Sequence, residues 1–322
     1  MSGKDNVVII TGTLHDAGLT VLRQAGVRLQ IYEGDAPIPV ALLNNWLCDA
    51  DALIATSAVK VGPSLLSMAP RLRVIAQSAV GYDNIDVAAC HRAGVPFCNT
   101  PGVLVDATAD LAFALILITM RSLGQAMDHV RSGAWFRGEG LPYARDLAGK
   151  TLGIVGMGEI GTAVARRALC SGMQIVYHNR RPRLADPLIP ADHLSMDDLL
   201  ARADCVLIMA PLTDATRGGF GVAEFAAMKS GAFFVNAARG AIVQTSALLE
   251  AIASGHLAGA ALDVCDPEPI APDHPLLSYP NVVVTPHIGS ATEETRARMA
   301  ELTARNIVRG LAGEPLLTPV LS

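Results

Sequence analysis

Three short segments carry the polar residues best suited to chemistry: Asn236-Ala237-Ala238-Arg239-Gly240, Asp263-Val264-Cys265-Asp266-Pro267-Glu268-Pro269 and Pro286-His287-Ile288-Gly289-Ser290. Each follows an apolar run that reads as a β-strand. In an open α/β sheet, the loops at the carboxyl ends of the strands are where ligands bind. An arginine, a glutamate and a histidine delivered there separately match what carbonyl reduction needs. The guanidinium can anchor a substrate carboxylate, the imidazole can deliver a proton, and the carboxylate can tune the imidazole. Each has a plainer alternative. Arg239 could pair with an acid at a sheet end, Glu268 could be a solvated turn acid, and His287 could be one of eight surface or capping histidines.

A second signal lies upstream. Leu152-Gly153-Ile154-Val155 leads into Gly156-Met157-Gly158-Glu159-Ile160-Gly161, and a helical pattern follows. G-x-G-x-x-G carries weight only where it closes a strand and opens a helix, which is its position here. Gly156 permits the tight turn, Gly158 lets a pyrophosphate approach the backbone, and Gly161 lets helix and strand pack closely. The N–H groups at the helix start then face the negative charge. About 20 residues on, an NAD-binding chain usually offers Asp or Glu to the ribose 2′-hydroxyl. This chain instead reads Tyr177-His178-Asn179-Arg180-Arg181-Pro182-Arg183. A guanidinium can bind a 2′-phosphate bidentately, so the expectation is NADPH in preference to NADH. The alternative is a solvated basic turn with dual cofactor use.

The elements that position these residues alternate. Strands are expected at 7–11, 29–32, 52–55, 74–77, 152–156, 174–177, 205–209, 232–236, 259–263 and 282–285, with amphipathic stretches such as 160–170, 196–202 and 247–253 between them. Such alternation predicts doubly wound parallel sheets with helices on both faces, an α/β fold. One series of units fills the first 98 residues and another begins near Leu152. A helix over 105–124 is expected to bridge them, and the glycine-rich stretch 133–140 to form a loop or arm. A final helix over 291–311 is expected to return to the first domain. The expected domains are therefore 1–98 with 287–322, and 99–286, with a cleft between.

Composition narrows the class. The 322 residues are 51% hydrophobic and 17% charged, with a net charge of −5, enough apolar mass for two cores and no general attraction to nucleic acid or anionic membrane. The six cysteines form no C-x-x-C pair or zinc spacing, so reduced core cysteines are expected and a metal is not. The longest apolar run, 111–120, is shorter than the roughly 18–20 residues of a bilayer span. The N-terminal apolar stretch, 7–10, is too short for a secretory signal. A soluble, cytoplasmic protein is the expectation.

Along nearly its whole length the chain resembles the D-isomer-specific 2-hydroxyacid dehydrogenases. The resemblance rests on Ser78-Ala79-Val80-Gly81-Tyr82-Asp83-Asn84-Ile85-Asp86, Asn99-Thr100-Pro101-Gly102-Val103, Asp106-Ala107-Thr108-Ala109-Asp110, the Gly156 loop, Pro211-Leu212-Thr213 and the three segments above. Within the family it looks most like the glyoxylate/hydroxypyruvate reductases and the related 2-ketogluconate reductases. The resemblance implies a Rossmann cofactor domain and a flavodoxin-like substrate domain. It implies that His287 protonates the carbonyl oxygen, that Glu268 keeps the imidazolium available near neutral pH, and that Arg239 holds the substrate carboxylate. Backbone N–H groups of Val80 and Gly81 would grip that carboxylate, and Asp263 would orient the nicotinamide carboxamide. Thr108, Glu159, Ile160, Pro211, Leu212, Thr213, Ala237 and Gly289 would line the cofactor, beside the three glycines, Asn179, Arg180 and Arg181. A homodimer is also implied, with Trp135 and Phe136 in an arm that packs against the other subunit.

Some positions depart from relatives. Val80 stands where phosphonate dehydrogenases carry lysine, and Glu268 where formate dehydrogenases carry glutamine. Val105 replaces a threonine common near the nicotinamide. The expected substrates are small 2-keto acids, glyoxylate and hydroxypyruvate, with 2-ketogluconate as the alternative. Residues 56–61 are expected to help choose among them. A cofactor-sensing scaffold like the C-terminal-binding-protein corepressors, which keep the fold and its catalytic residues, is the alternative from another class.

Overall fold

The computed structural model describes residues 6–182 and 189–321, so Arg183 lies outside the described residues. The chain divides into two compact units, Met1–Leu104 with Ser290–Ser322, and Val105–Gly289.

The first unit holds a five-stranded parallel sheet in the order β2-β1-β3-β4-β5. Its strands are β1 (Val7–Ile10), β2 (Arg28–Ile31), β3 (Ala52–Ala55), β4 (Val74–Gln77) and β5 (Phe97–Cys98). β1, β3 and β4 are buried along their whole length. That is why VVII, ALIA and VIAQ read as continuous runs rather than alternating ones: both faces of a parallel sheet are covered. Helices α1 (Asp16–Gln24), α2 (Val40–Leu47), α3 (Pro63–Ser67) and α4 (Val87–Arg92) lie in this unit. Asp86 caps α4 by accepting the Ala89 N–H at 2.8 Å. The final helix, α11 (Glu293–Ala312), packs along α1 and on β4. Its apolar positions Met299, Ile307 and Leu311 are buried. Beyond it, Val320 N–H donates to Phe97 C=O at 2.9 Å, so the chain's last segment runs beside β5.

The second unit holds a seven-stranded parallel sheet in the order β12-β11-β10-β9-β6-β7-β8. Its strands are β6 (Thr151–Val155), β7 (Gln174–His178), β8 (Ala191–His193), β9 (Cys205–Ile208), β10 (Ala232–Asn236), β11 (Leu257–Leu262) and β12 (Val282–Val284). Helices α5 (Val105–Met120), α6 (Leu123–Arg131), α7 (Glu159–Cys170), α8 (Met196–Arg202), α9 (Val222–Ala227) and α10 (Thr245–Ala253) complete it. β6 pairs with β7 on one side and β9 on the other, which makes it the point where strand order reverses. Ligand sites of open α/β sheets fall at that switch point.

The structure corrects three expectations. The helix expected over 105–124 stops at Met120. Ser122 takes a left-handed conformation, φ 51°, and α6 continues separately with no buried residue. Up to Met120 the helix is anchored by fully buried Leu115 and Ile116, each stabilising by about 1.5–3 kcal/mol; beyond it no buried side chain holds the direction. β5 and β8 were not expected. They are two and three residues long, too short to show a period. Finally, the cysteines are all free but not all core residues. Cys90, Cys98 and Cys205 are buried, whereas Cys48 and Cys170 fall at the solvent-exposed ends of α2 and α7. Among the described residues no single helix is long and apolar enough to cross a membrane, and no cluster of His, Cys, Asp and Glu could hold a metal.

Candidate active site

The Gly156 loop leaves β6 and enters α7 at the switch point. Gly156 has φ 103°, and a Cβ there would sit 2.4 Å from the Ala210 backbone nitrogen. A Cβ on Gly161 would lie 2.5 Å from the Gly156 carbonyl oxygen. Both positions therefore exclude side chains. Gly158, by contrast, begins α7 with open space where its Cβ would be and no side-chain cap. A helix start with bare backbone, unfilled space and orphan N–H groups in its first turn, Glu159, Ile160 and Gly161, fits a dinucleotide pyrophosphate. Across from it, the Asn179 side chain accepts the Met157 N–H at 2.8 Å and so fixes the turn. Arg180 and Arg181 follow, exposed, with no ion pair among the described residues.

Pro211, Leu212 and Thr213 follow β9, the neighbour of β6. Thr216 staples this turn: its hydroxyl accepts the Thr213 N–H at 2.8 Å and donates to the Pro211 carbonyl at 2.8 Å. Thr216 is a residue the sequence did not single out.

Arg239, Glu268 and His287 follow β10, β11 and β12, three adjacent strands. Asn236, almost fully buried, donates from its amide to the Arg239 carbonyl at 2.9 Å and accepts the Ala238 N–H at 3.1 Å, which shapes the Arg239 turn. His287 Nδ1 and Glu268 Oε1 are 2.6 Å apart, both side chains somewhat less than half exposed. Partial burial opposes ionisation of Glu268. The hydrogen bond and charge of His287, the Cys265 N–H and the Arg239 charge together outweigh it and hold the carboxyl below its ordinary 4.5. The pair therefore carries a carboxylate on Nδ1, and Nε2 of the imidazole has no hydrogen-bond partner among the described residues.

Asp263, 2% exposed, braces the histidine loop. Its Oδ1 accepts the Thr285 hydroxyl at 2.7 Å and the Ile288 N–H at 2.9 Å, and its Oδ2 accepts the Gly289 N–H at 2.9 Å. His287 itself sits at φ 55°, left-handed backbone that a non-glycine residue keeps only when its surroundings impose it. Thr108 lies against Gly289, 3.3 Å from where a Cβ would be. Burial, and then the carboxylates of Glu268 and Asp263, push the Cys265 thiol up to about 11, so it is no nucleophile near neutral pH. In the first unit, Val80 and Gly81 occupy the loop after β4, partly buried.

Residues 113–289 match the family described as "D-isomer specific 2-hydroxyacid dehydrogenase, NAD binding domain". The chain belongs to this family. It is an oxidoreductase with a nicotinamide-binding Rossmann domain. Among its relatives, a glyoxylate reductase from Aeropyrum pernix is 44% identical over 292 residues, covering 89% of this chain and 87% of the relative. A glyoxylate reductase from Paecilomyes thermophila is 35% identical with a TM-score of 0.87 over 99% of both chains. An NADPH-dependent glyoxylate/hydroxypyruvate reductase from Sinorhizobium meliloti, solved with NADP and malonate, is 30% identical with a TM-score of 0.87 over 98% and 97%.

In this dehydrogenase the Arg239 and Glu268 loops touch through Gly240. A Cβ there would fall 1.8 Å from the Cys265 carbonyl oxygen, a backbone atom with no side chain to swing aside. Gly240→Ala is expected to destabilise the chain by about 3 kcal/mol, the upper end for overpacking. Displacing two loops by about 1 Å should also cost about a hundredfold in kcat/KM. Thermal unfolding and steady-state rates check both, and wild-type values in either would remove Gly240 from this role.

Proposed function

We propose that the chain reduces small 2-keto acids, glyoxylate and hydroxypyruvate, to D-2-hydroxy acids with NADPH. The observation that carries this reading is the 2.6 Å His287–Glu268 pair beside the Arg239 turn. The Gly156 loop would hold the dinucleotide by its pyrophosphate, and the nicotinamide would supply the hydride. His287 donates the proton from Nε2 to the carbonyl oxygen, Glu268 holds the ring in the matching orientation through Nδ1, and Arg239 binds the substrate carboxylate. Val80 and Gly81 contribute backbone donors to carboxylate binding. The names of the relatives from Aeropyrum pernix and Sinorhizobium meliloti support the substrate class.

The test is initial-rate oxidation of NADPH and NADH with glyoxylate, hydroxypyruvate, pyruvate and 2-ketogluconate. Fast NADPH-dependent turnover of the first two bears the reading out. Preference for 2-ketogluconate would keep the mechanism and move the substrate. No turnover with any would favour a cofactor-sensing scaffold.

NADPH preference rests on Arg180 and Arg181, exposed at the end of β7 where a carboxylate would select NADH. Arg180→Ala is expected to reduce the NADPH/NADH ratio of kcat/KM by about tenfold, one charge-assisted hydrogen bond. An unchanged ratio would move the phosphate contact elsewhere. A homodimer completes the proposal. Leu123, Met127 and Val130 on α6, with Trp135 and Phe136 beyond it, are exposed in the single chain and offer an apolar face to a second copy. Sedimentation equilibrium at assay concentration separates monomer from dimer.

A further inference from the structure

The loop that leaves β4 has its carbonyls tied inward one after another. Ala79 C=O accepts the Thr100 N–H at 3.0 Å, Val80 C=O accepts Asn99 Nδ2 at 2.8 Å, and Gly81 C=O accepts Gln77 Nε2 at 2.7 Å. These peptide units are trans, so each N–H points opposite to its carbonyl. Pinning the carbonyls of residues 79, 80 and 81 therefore aims the N–H groups of Val80, Gly81 and Tyr82 away from the donors that hold them. None of these three N–H groups donates to a partner in the chain among the described residues. Three successive backbone N–H groups without a partner in the chain are donors that a carboxylate can take up.

The two amides that hold this arrangement are buried. Gln77 is 1% exposed and Asn99 8%. The Gln77 Oε1 has no hydrogen-bond partner, a cost that a side chain kept only for packing would avoid. What glutamine supplies there, and an apolar side chain of similar length does not, is the donor to Gly81. Asn99 is fixed from behind. Its carbonyl accepts the Thr318 hydroxyl at 2.7 Å, and the Thr318 N–H donates to Asn306 Oδ1 at 3.2 Å. The asparagine amide thus reaches Val80 from a backbone that the chain's last segment holds in place.

We infer that Gln77 and Asn99 are positioning residues that turn the 79–82 loop into a three-donor carboxylate seat, and that they set keto-acid affinity without touching the substrate. This rests on the keto-acid reductase reading above. Releasing the Gly81 carbonyl lets the peptide planes of the loop rotate, so the donors must be ordered at the moment of binding rather than beforehand.

Gln77→Met removes the donor and the unpaired acceptor together at nearly constant volume. Its KM for glyoxylate should rise about tenfold, with kcat and the KM for NADPH within about threefold. The midpoint of thermal unfolding should stay at or above wild type. Calorimetric titration of the NADPH-bound protein with oxamate, an unreactive carboxylate analogue, should show the same roughly tenfold weakening. Asn99→Leu should show this split too, and it serves alone if Gln77→Met fails to fold. Wild-type oxamate affinity in a folded variant would overturn the inference. So would equal losses for oxamate and NADPH with a lowered unfolding midpoint, the mark of a purely structural role. Should the wild type turn over no keto acid, the reductase reading fails by itself; the oxamate comparison still decides whether these amides set the seat.

Discussion

Replacing His287 by Ala or Asn is expected to lower kcat for keto-acid reduction by about 10²–10⁴-fold, the usual contribution of a positioned general acid. NADPH binding should stay within about threefold, because the dinucleotide contacts proposed for the Gly156 loop do not involve the imidazole. The two variants differ in a second respect. His287 holds φ 55°, a region asparagine tolerates and alanine does not, so Ala should also lose about 1 kcal/mol of stability that Asn retains. Equal turnover losses with unequal unfolding midpoints would separate the proton from the backbone. Equal losses in turnover and NADPH binding would instead point to misfolding. The wild type should also show an acid limit. With the Glu268 carboxyl held below its ordinary 4.5, the His287–Glu268 pair contributes fully above that pH and loses its contribution as pH falls through the lowered folded value. The side chains are nearly half exposed, so this contribution to stability is small and the rate profile is the better readout.

Much of this architecture was legible because parallel sheets write themselves plainly. A strand covered on both faces appears as an unbroken apolar run, as at Val74–Gln77 and Cys205–Ile208, and a glycine-rich turn between such a run and a helix has few other uses. Arg239, Glu268 and His287 stood out because each follows a strand, and strand ends in these folds gather on one edge. Most of what escaped is set by contacts distant in sequence. Asp263 reads as a cofactor contact; that its oxygens also accept from Thr285, Ile288 and Gly289 is a bracing that the β11–β12 pairing brings about. Gln77 reads as the end of a strand. Its reach to Gly81 is local, four residues on, but follows no pattern of types; that of Asn99 to Val80 depends on a β5 of two residues that no periodicity reveals. The necessity of Gly240 is likewise invisible, since it lies in the Cys265 carbonyl 25 residues further along, not in the local turn.

Arg239→Ala is expected to cost about 10³-fold in kcat/KM, with most of the loss in substrate saturation. A guanidinium binds a carboxylate through two parallel hydrogen bonds and also stabilises the charge that develops on the reducing carbonyl. Arg239→Lys keeps the charge and loses the fork, so it should recover only part of the activity. The pair of variants also reads the electrostatics of the site. Arg239 is one of the groups that hold the Glu268 carboxyl low, and the smallest of them. Removing its charge should move the acid limit of the rate profile upward by a small amount, and lysine should restore it. Arginine therefore does two things that the variants pull apart: geometry, which lysine cannot supply, and charge, which it can. An Ala variant with a wild-type saturation curve would sink the anchoring role. One that loses saturation while its acid limit stays fixed would show that the carboxylate contact is made by Arg239 but that Glu268 is tuned by His287 and the Cys265 N–H alone.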